Sequence, residues 1–193
     1  IMGRFQTNFA NPDTGVRRLI PDYDKYDFGI YTVLDYKMND KLEFETGVRF
    51  DYSHMDVFKF YKNSVWEERG YDILFPELIV QEFSNQVLVN PELEFNNLSA
   101  TLGFHYKLND NNTLFLNHAL SSRAPNPSEL FSDGLHHAIA RIEVGDLRFK
   151  SEVGHKTSLT YRYNNENFNF SINPFINNIQ DFIVIEPVEI RET

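Results

Sequence analysis

Hydrophobic and polar residues alternate with a period of two along several segments of the chain. In the clearest segment, 42–52, the apolar phase consists of Leu42, Phe44, Thr46, Val48, Phe50 and Tyr52. Because successive side chains of a strand point to opposite faces, this alternation predicts a β-strand. The same pattern predicts strands at 26–37, 97–107, 113–122, 153–163 and 167 to about 184. No comparable stretch keeps a helical period, so the sequence predicts an all-β fold.

The connections between these segments are of two kinds. Segments 38–40, 109–112 and 164–166 are short and rich in Asn and Asp, which favour tight turns. Segments at about 54–95 and 123–148 are far longer than ordinary loops. We therefore expect antiparallel strands with tight turns at one edge and long loops at the other.

Three strands end their apolar phase with tyrosine as they approach a short turn, at Tyr36, Tyr106 and Tyr163. Such an aromatic line suits a lipid headgroup boundary, because a phenol has an apolar body and a polar tip. Together with strand length and loop asymmetry, it is typical of an outer-membrane β-barrel. The alternative is a soluble all-β module that binds sugars or peptides, in which the apolar phase packs against a second sheet. His118 shares a phase with leucines, which indicates either another register or a position near the interface.

Composition narrows the classes of function. Eighteen Lys and Arg against 28 Asp and Glu leave a formal net charge of −10, which disfavours nucleic acid as a partner. The chain has no cysteine, so disulfides, thiolate metal sites and cysteine nucleophiles are excluded. No apolar run is long enough for a transmembrane helix, and no secretory signal opens the chain. The chain begins with Ile1, and we expect an internal segment of a longer protein.

An ordered series of short motifs runs from residue 98 to 187. It comprises Ser99-Ala100-Thr101-Leu102-Gly103-Phe104, Asn112-Thr113-Leu114-Phe115-Leu116-Asn117, Ser122-Arg123-Ala124-Pro125, Ser128-Glu129-Leu130-Phe131-Ser132-Asp133-Gly134, Glu143-Val144-Gly145-Asp146, Glu152 and Phe175-Ile176-Asn177-Asn178-Ile179-Gln180-Asp181-Phe182-Ile183. This series resembles the TonB-dependent outer-membrane receptors. The resemblance assigns Arg123, Pro125, Glu129, Leu130, Gly145, Asp146 and Glu152 to the family's loop motif. Phe149 and Ser151 depart from the leucine and proline that the family often has there.

The resemblance implies a partial antiparallel transmembrane β-barrel, with about six membrane strands of a larger barrel that we expect to be 22-stranded. Residues 1–193 would be one segment of a single barrel domain, with the plug domain and the C-terminal strands outside it. The implied protein lies in the outer membrane of a Gram-negative cell and imports a scarce nutrient. Its implied partners are outer-membrane lipid, a small nutrient ligand, and TonB with ExbB and ExbD through an N-terminal region. No catalytic motif is present in the sequence, so we do not expect an enzyme.

The polar phase of the strands is expected to face the barrel lumen. It carries Glu43, Glu45, Arg49, Asp51, Asn97, Ser99, His105, Lys107, Lys156, Ser158 and Arg162. A lumen must be polar in any case, so most of these side chains are expected simply to be solvated or to contact a plug.

Two adjacent histidines, His136 and His137, lie near Asp133, Glu129 and Glu143. Nitrogen and oxygen ligands of this kind suit zinc or another borderline divalent metal. The segment also resembles a loop of the zinc-uptake branch of the family. Neighbouring residues of an extended chain point apart, so both imidazoles bind one ion only if the backbone turns; otherwise they only shape the loop. A metal ion would be substrate rather than cofactor, and a siderophore, haem or cobalamin are alternatives.

The long segment 54–95 is rich in aromatic residues: Phe58, Phe60, Tyr61, Trp66, Tyr71 and Phe75. We expect these rings to pack the segment against its neighbours. The alternative is that they grip a hydrophobic or organometallic ligand.

Overall fold

The structure is a computed structural model that describes residues 1–9, 19–136 and 141–186. Its strands are β1 (Met2–Asn8), β2 (Asp22–Lys37), β3 (Leu42–Lys62), β4 (Ile79–Glu82), β5 (Gln86–Val89), β6 (Glu92–Asn109), β7 (Asn112–Arg123), β8 (Asp133–His136), β9 (Arg141–Val144), β10 (Glu152–Asn164), β11 (Asn169–Ile172) and β12 (Phe175–Gln180). Short helices α1 (Asn63–Glu68) and α2 (Tyr71–Leu74) and a 3-10 turn (Pro76–Leu78) follow β3. Helix α3 (Pro127–Phe131) follows β7.

The main sheet has the strand order β1-β2-β3-β6-β7-β10-β11. Strand β12 also pairs with β10, β5 pairs with β3 and β4, and β8 and β9 form a separate two-stranded sheet. In this order, β3 and β6 and likewise β7 and β10 are paired although long segments of chain separate them, whereas β6 and β7 are joined by a short turn. This confirms the predicted all-β fold with antiparallel pairing.

Several strand predictions differ from the structure. Strand β2 begins at Asp22 and β6 at Glu92, ahead of the predicted segments 26–37 and 97–107. Strand β3 extends to Lys62, ten residues beyond the predicted segment. Near its end both faces carry apolar residues, Val57 and Tyr61 on the buried face and Phe58 and Phe60 on the other, so the period of two is lost. The segment predicted as one strand from 167 to about 184 is two strands, β11 and β12. Pro174 lies between them, and a proline cannot donate a ladder hydrogen bond.

Asparagine side chains close the three short turns. The Asn39 side-chain oxygen accepts from the backbone N–H groups of Lys41 and Leu42 at 2.9 and 3.0 Å. The oxygen of Asn109 accepts from the N–H of Asn111 at 3.0 Å. The oxygen of Asn165 accepts from two following N–H groups at 2.9 and 2.7 Å. These turns of the chain therefore have the local chemistry that their composition predicts.

The chain divides into two compact units. Unit 1 comprises Ile1–Thr32, Val48–Leu98 and Asn126–Arg148, and unit 2 comprises Val33–Gly47, Ser99–Pro125 and Phe149–Thr193. Within the described residues and apart from prolines, the buried hydrophobic side chains all belong to unit 1: Met55, Val57, Tyr61, Trp66, Tyr71, Val87, Val89, Leu130, Phe131 and Leu147. In unit 2 the apolar strand phase is exposed instead: Leu102, Phe104, Tyr106, Leu116 and Leu159 are each 38 to 45% exposed.

The strand register of unit 2 places this apolar phase on one face. Tyr106 lies opposite Leu114, which lies opposite Tyr161. Tyr163 lies opposite Asn112, so the lateral row through Tyr106 contains Tyr161 and not Tyr163. The predicted aromatic line through Tyr106 and Tyr163 is therefore out of register by two residues. His118 lies opposite Leu102 and Thr157, so its register follows the leucines, and its Nδ1 is 2.9 Å from Thr157 Oγ1.

Among the described residues, no helix is both long enough and apolar enough to span a membrane.

Candidate functional site

The inner part of unit 1 is a small core built on one face of β3. Met55, Val57 and Tyr61 alternate on that face and are almost fully buried. Leu130 and Phe131, from α3, are buried as well. Lys59 shares the face, and its Nζ donates a hydrogen bond of 2.7 Å to the backbone oxygen of Phe131. A buried cation needs such a partner, so this contact fixes α3 to the strand.

Three aromatic rings extend this core. The ring centroids of Tyr61, Trp66 and Tyr71 lie 5.2 to 6.1 Å apart, in tilted or edge arrangements that rings prefer. All three side chains are buried, which agrees with a packing role. Phe58 and Phe60 lie on the other face of β3 and are about half exposed.

Helix α3 begins with a capping box. The side-chain oxygen of Asn126 accepts from the backbone N–H of Glu129 at 3.0 Å, and Glu129 accepts in return from the backbone N–H of Asn126 at 2.8 Å. Pro127 occupies the first turn, where its missing N–H costs nothing. Glu129, predicted as a metal ligand and as a motif residue, therefore caps the helix.

Gly145 lies directly against the backbone of α3. A Cβ at this position would be 2.6 Å from the backbone oxygen of Glu129 and 2.7 Å from the nitrogen of Phe131. The backbone N–H of Gly145 donates to the oxygen of Ser132 at 2.7 Å, and the N–H of Asp146 donates to that of Glu129 at 3.0 Å. This motif glycine thus joins the segment after β9 to α3.

Asp146 is the centre of a polar cluster. Its Oδ1 accepts from the Tyr71 hydroxyl at 3.0 Å, and the guanidinium of Arg148 donates to both of its oxygens. The Tyr71 oxygen also accepts from the backbone N–H of Leu147 at 3.0 Å. Burial opposes ionisation of Asp146, but the hydrogen bonds from Arg148 and Tyr71 outweigh it and lower the pKa of Asp146. Burial raises the pKa of Tyr71.

The remaining motif residues lie in unit 2. Arg123 and Glu152 face each other across β7 and β10, with 2.6 Å between the guanidinium and the carboxylate. The second oxygen of Glu152 accepts from the backbone N–H of Ile183 at 2.6 Å. Pro125 is almost fully buried. These contacts connect Arg123 with Glu152 and connect Glu152 with the segment that follows β12.

The predicted metal ligands are only partly brought together. Across the β8–β9 hairpin, His136 Nδ1 lies 2.9 Å from a carboxylate oxygen of Glu143. Asp133 is buried and lies 3.6 Å from the guanidinium of Arg69. His137 lies outside the described residues. Among the residues that the structure describes, no group of three or more His, Asp or Glu side chains is arranged to hold a metal ion.

The side chains of the polar phase make contacts along and across the strands. Glu43 lies 3.2 Å from His105, Arg49 lies 2.6 Å from Asp51, and Lys107 lies 3.1 Å from Asp110. The hydroxyl of Ser99 accepts a hydrogen bond from the backbone N–H of Ser122, and Ser158 lies opposite Asn117 in the strand register. The side chain of Asn97 is buried, whereas that of Glu45 is exposed. Lys156 and Arg162 lie over the rings of Phe175 and Phe115 at 5.1 and 4.9 Å.

Some residues of these sites were not predicted from the sequence. In unit 1, Asp27 accepts hydrogen bonds from Arg4 and Ser53 and lies 3.3 Å from Lys25. The alternation of Lys25 and Asp27 on one phase of β2 was the available signal. The role of Tyr71 had no comparable signal, because its partners Asp146 and Leu147 are 75 and 76 residues away in the sequence.

Comparisons with known proteins agree with this fold. The family model "TonB dependent receptor-like, beta-barrel" matches residues 2–191, so the chain belongs to the TonB-dependent receptors, which are proteins of the Gram-negative outer membrane. A comparison with the curated proteins gives no match.

Three solved structures share the fold at low sequence identity. The copper transporter OprC has a TM-score of 0.61 at 15% identity, with 84% of this chain and 23% of that chain covered. The Serratia marcescens hemophore receptor HasR has a TM-score of 0.58 at 11% identity, with 85% and 26% covered. The ferric-catecholate import receptor Fiu of E. coli K12 has a TM-score of 0.51 at 14% identity, with 92% and 26% covered. The chain therefore spans about a quarter of the length of these proteins.

Proposed function

We propose that this chain is part of a receptor that imports a scarce nutrient across the outer membrane, rather than part of an enzyme. The observation that carries the proposal is the uncovered apolar face of unit 2, whose strands present leucine and aromatic side chains on one phase and charged side chains on the other. Strands with one apolar and one polar face are what a barrel in lipid requires.

Detergent phase partitioning of the full-length receptor tests this proposal. We expect recovery in the detergent phase, since the exposed rings and aliphatic side chains need an apolar environment. Recovery of the full-length receptor in the aqueous, detergent-poor phase would instead support a soluble binding module.

Energy for import is proposed to come from TonB with ExbB and ExbD, acting through a region outside this segment. Uptake of the nutrient in whole cells should therefore stop when TonB is deleted. Uptake that persists unchanged without TonB would contradict this part of the proposal.

For the substrate we propose a divalent metal ion, with zinc as the first candidate. The contact between Glu143 and Nδ1 of His136 supports this choice, because a carboxylate on one imidazole nitrogen orients the ring and leaves the other nitrogen for a metal. His137 follows directly in the sequence and is proposed as the second nitrogen ligand. Glu129 and Asp133 are weaker candidates, since they hold the α3 cap and Arg69. A siderophore, haem or cobalamin are the alternative substrates.

Zinc titration of the full-length receptor tests this substrate. We expect His136→Ala and His137→Ala each to weaken zinc binding by at least tenfold, and Glu143→Gln to weaken it by 10- to 100-fold as an outer-shell change. His155→Ala, which removes an exposed imidazole of unit 2, is the matched control. Equal affinity in all of these variants would exclude the hairpin as the zinc site.

A further inference from the structure

Arg162 differs from the other arginines whose side chains the structure describes. Arg4, Arg49, Arg69, Arg123 and Arg148 each have a carboxylate oxygen within 2.5 to 3.6 Å. Among the described residues, Arg162 has no such partner. Its guanidinium lies over the ring of Phe115 instead, with Cζ 4.9 Å from the centroid. In a chain with a net charge of −10, a guanidinium without a carboxylate is unusual.

Arg162 lies at an open depression in the surface, with a volume of about 470 Å³, which is also lined by Asn164, Asn169, Phe170 and Ser171. On the β10–β11 hairpin Arg162 lies opposite Ser171, and Asn164 lies opposite Asn169. Opposite and alternate residues of an antiparallel pair share a face, so these four polar side chains lie together.

The chemistry of this depression suits an anion. A guanidinium presents parallel N–H donors that match the two oxygens of a carboxylate, and Phe115 holds its plane by a cation–π contact. Among the described residues, the side chains of Asn164, Asn169 and Ser171 make no hydrogen bond that would occupy their donors. The depression therefore offers one fixed cation and three further donor groups, and it contains no carboxylate.

We propose that Arg162, with the amides of Asn164 and Asn169 and the hydroxyl of Ser171, binds a carboxylate group. The group is supplied either by an acidic side chain elsewhere in the receptor or by a soluble carboxylate. The site lies beside the short turn that follows β10, in unit 2, and its residues are not among those proposed for metal binding in unit 1. The inference therefore does not depend on the substrate of the receptor.

The test uses the full-length receptor with a single cysteine at Thr113→Cys, any other cysteines being removed. Thr113 lies opposite Arg162 on β7, so this change leaves all four binding groups in place. The rates of modification of Cys by an anionic and by a cationic methanethiosulfonate are measured, with and without acetate, at constant ionic strength. The variants are Arg162→Gln, Arg162→Lys and, as a matched control, Lys156→Gln on the same face of β10. Heat modifiability on gels checks that each variant has a folded barrel.

Two results support the proposal, and they identify the source of the carboxylate. If the site takes a soluble carboxylate, the anionic reagent modifies the cysteine faster than the cationic one, and acetate slows modification by the anionic reagent. Arg162→Gln then reduces the ratio of the anionic to the cationic rate by about tenfold, as expected for the loss of one unit charge about 6 Å from the reagent. Arg162→Lys then restores most of the ratio but not the protection by acetate. If an acidic side chain of the receptor already fills the site, Arg162→Gln accelerates both reagents instead.

Lys156→Gln should change neither rate, because Lys156 is about 20 Å further along the strand, beyond the screening distance. The proposal is overturned if Arg162→Gln leaves both rates and the effect of acetate as they are in the parent.

Discussion

Gly145→Ala is expected to loosen the segment that follows β9 without unfolding the sheet. The new methyl group would lie 2.6 Å from the backbone oxygen of Glu129 and 2.7 Å from the nitrogen of Phe131. Backbone atoms of a capped helix cannot move aside as the end of a flexible side chain can. The helix and the Gly145 segment must therefore separate, which weakens the hydrogen bonds from the Gly145 and Asp146 N–H groups.

Overpacking of a buried contact destabilises a protein by about 1 to 3 kcal/mol, and we expect a free-energy cost of this size here. If that free energy opens the segment locally, the open population rises by a factor of about 5 to 150. Hydrogen–deuterium exchange of the full-length receptor measures this change directly. The N–H groups of Gly145, Asp146 and Leu147 should exchange faster by the same factor, because all three donate to α3 residues, to Ser132 or to Tyr71.

Gly103→Ala is the matched control. A Cβ at Gly103 would have no neighbour closer than 3.5 Å, which is an ordinary contact. Exchange of the segment from 145 to 147 should be unaffected in this variant. Equal exchange in Gly145→Ala and Gly103→Ala would refute the role assigned to the close contact.

Two further predictions concern Tyr71 and Asp146 in unit 1, and a third concerns the Arg123–Glu152 pair in unit 2. Tyr71→Phe removes the acceptor of the Leu147 N–H and a donor to Asp146, so exchange at Leu147 should rise by the equivalent of about 1 to 3 kcal/mol, and unchanged exchange would contradict this. Protection of the segment should also fall at both pH extremes. The pKa of Asp146 is lowered in the folded protein, so this group stabilises the segment above its ordinary pKa of 3.8, and that stabilisation is lost as the pH falls through the folded-state pKa. The pKa of Tyr71 is raised in the folded protein, so its stabilisation is present below its ordinary pKa of 10.0 and is lost as the pH rises through the folded-state pKa. Asp146→Asn should abolish the acid limb. A double-mutant cycle of Arg123→Gln and Glu152→Gln should give a coupling free energy of about 1 kcal/mol or less, because the Arg123 side chain is 45% exposed. A much larger coupling free energy would contradict this, since it would show that the ion pair is shielded from water.

The strands of unit 2 could be predicted from the sequence because their two faces differ sharply in polarity. Strands β7 and β10 begin and end within about one residue of the predicted segments. The far half of β3 was missed, since Phe58 and Phe60 are apolar on one face and Val57 and Tyr61 are apolar on the other. A strand with two apolar faces has no period of two, so its pattern is lost.

The site could be predicted only as a set of residue types. The motif positions Glu129, Gly145 and Asp146 were identified by family resemblance, but their contacts depend on how distant segments fold together. Glu129 caps a helix, and Asp146 meets a tyrosine from another loop. Hydrogen bonds over 70 or more residues leave no local signal in one sequence. For the same reason, the depression beside Arg162 required the register of β10 and β11.

The most direct test of the account is a scan of single nitroxide labels from 98 to 107 along β6 of the full-length receptor in lipid bilayers. Collision rates with oxygen report contact with lipid, and those with a water-soluble nickel complex report contact with water. We expect labels at Leu98, Leu102 and Phe104 to meet oxygen, and labels at Ser99, Thr101 and His105 to meet the nickel complex, in strict alternation. Equal access of the nickel complex to both sets would contradict a sheet with one face in lipid and the other in water.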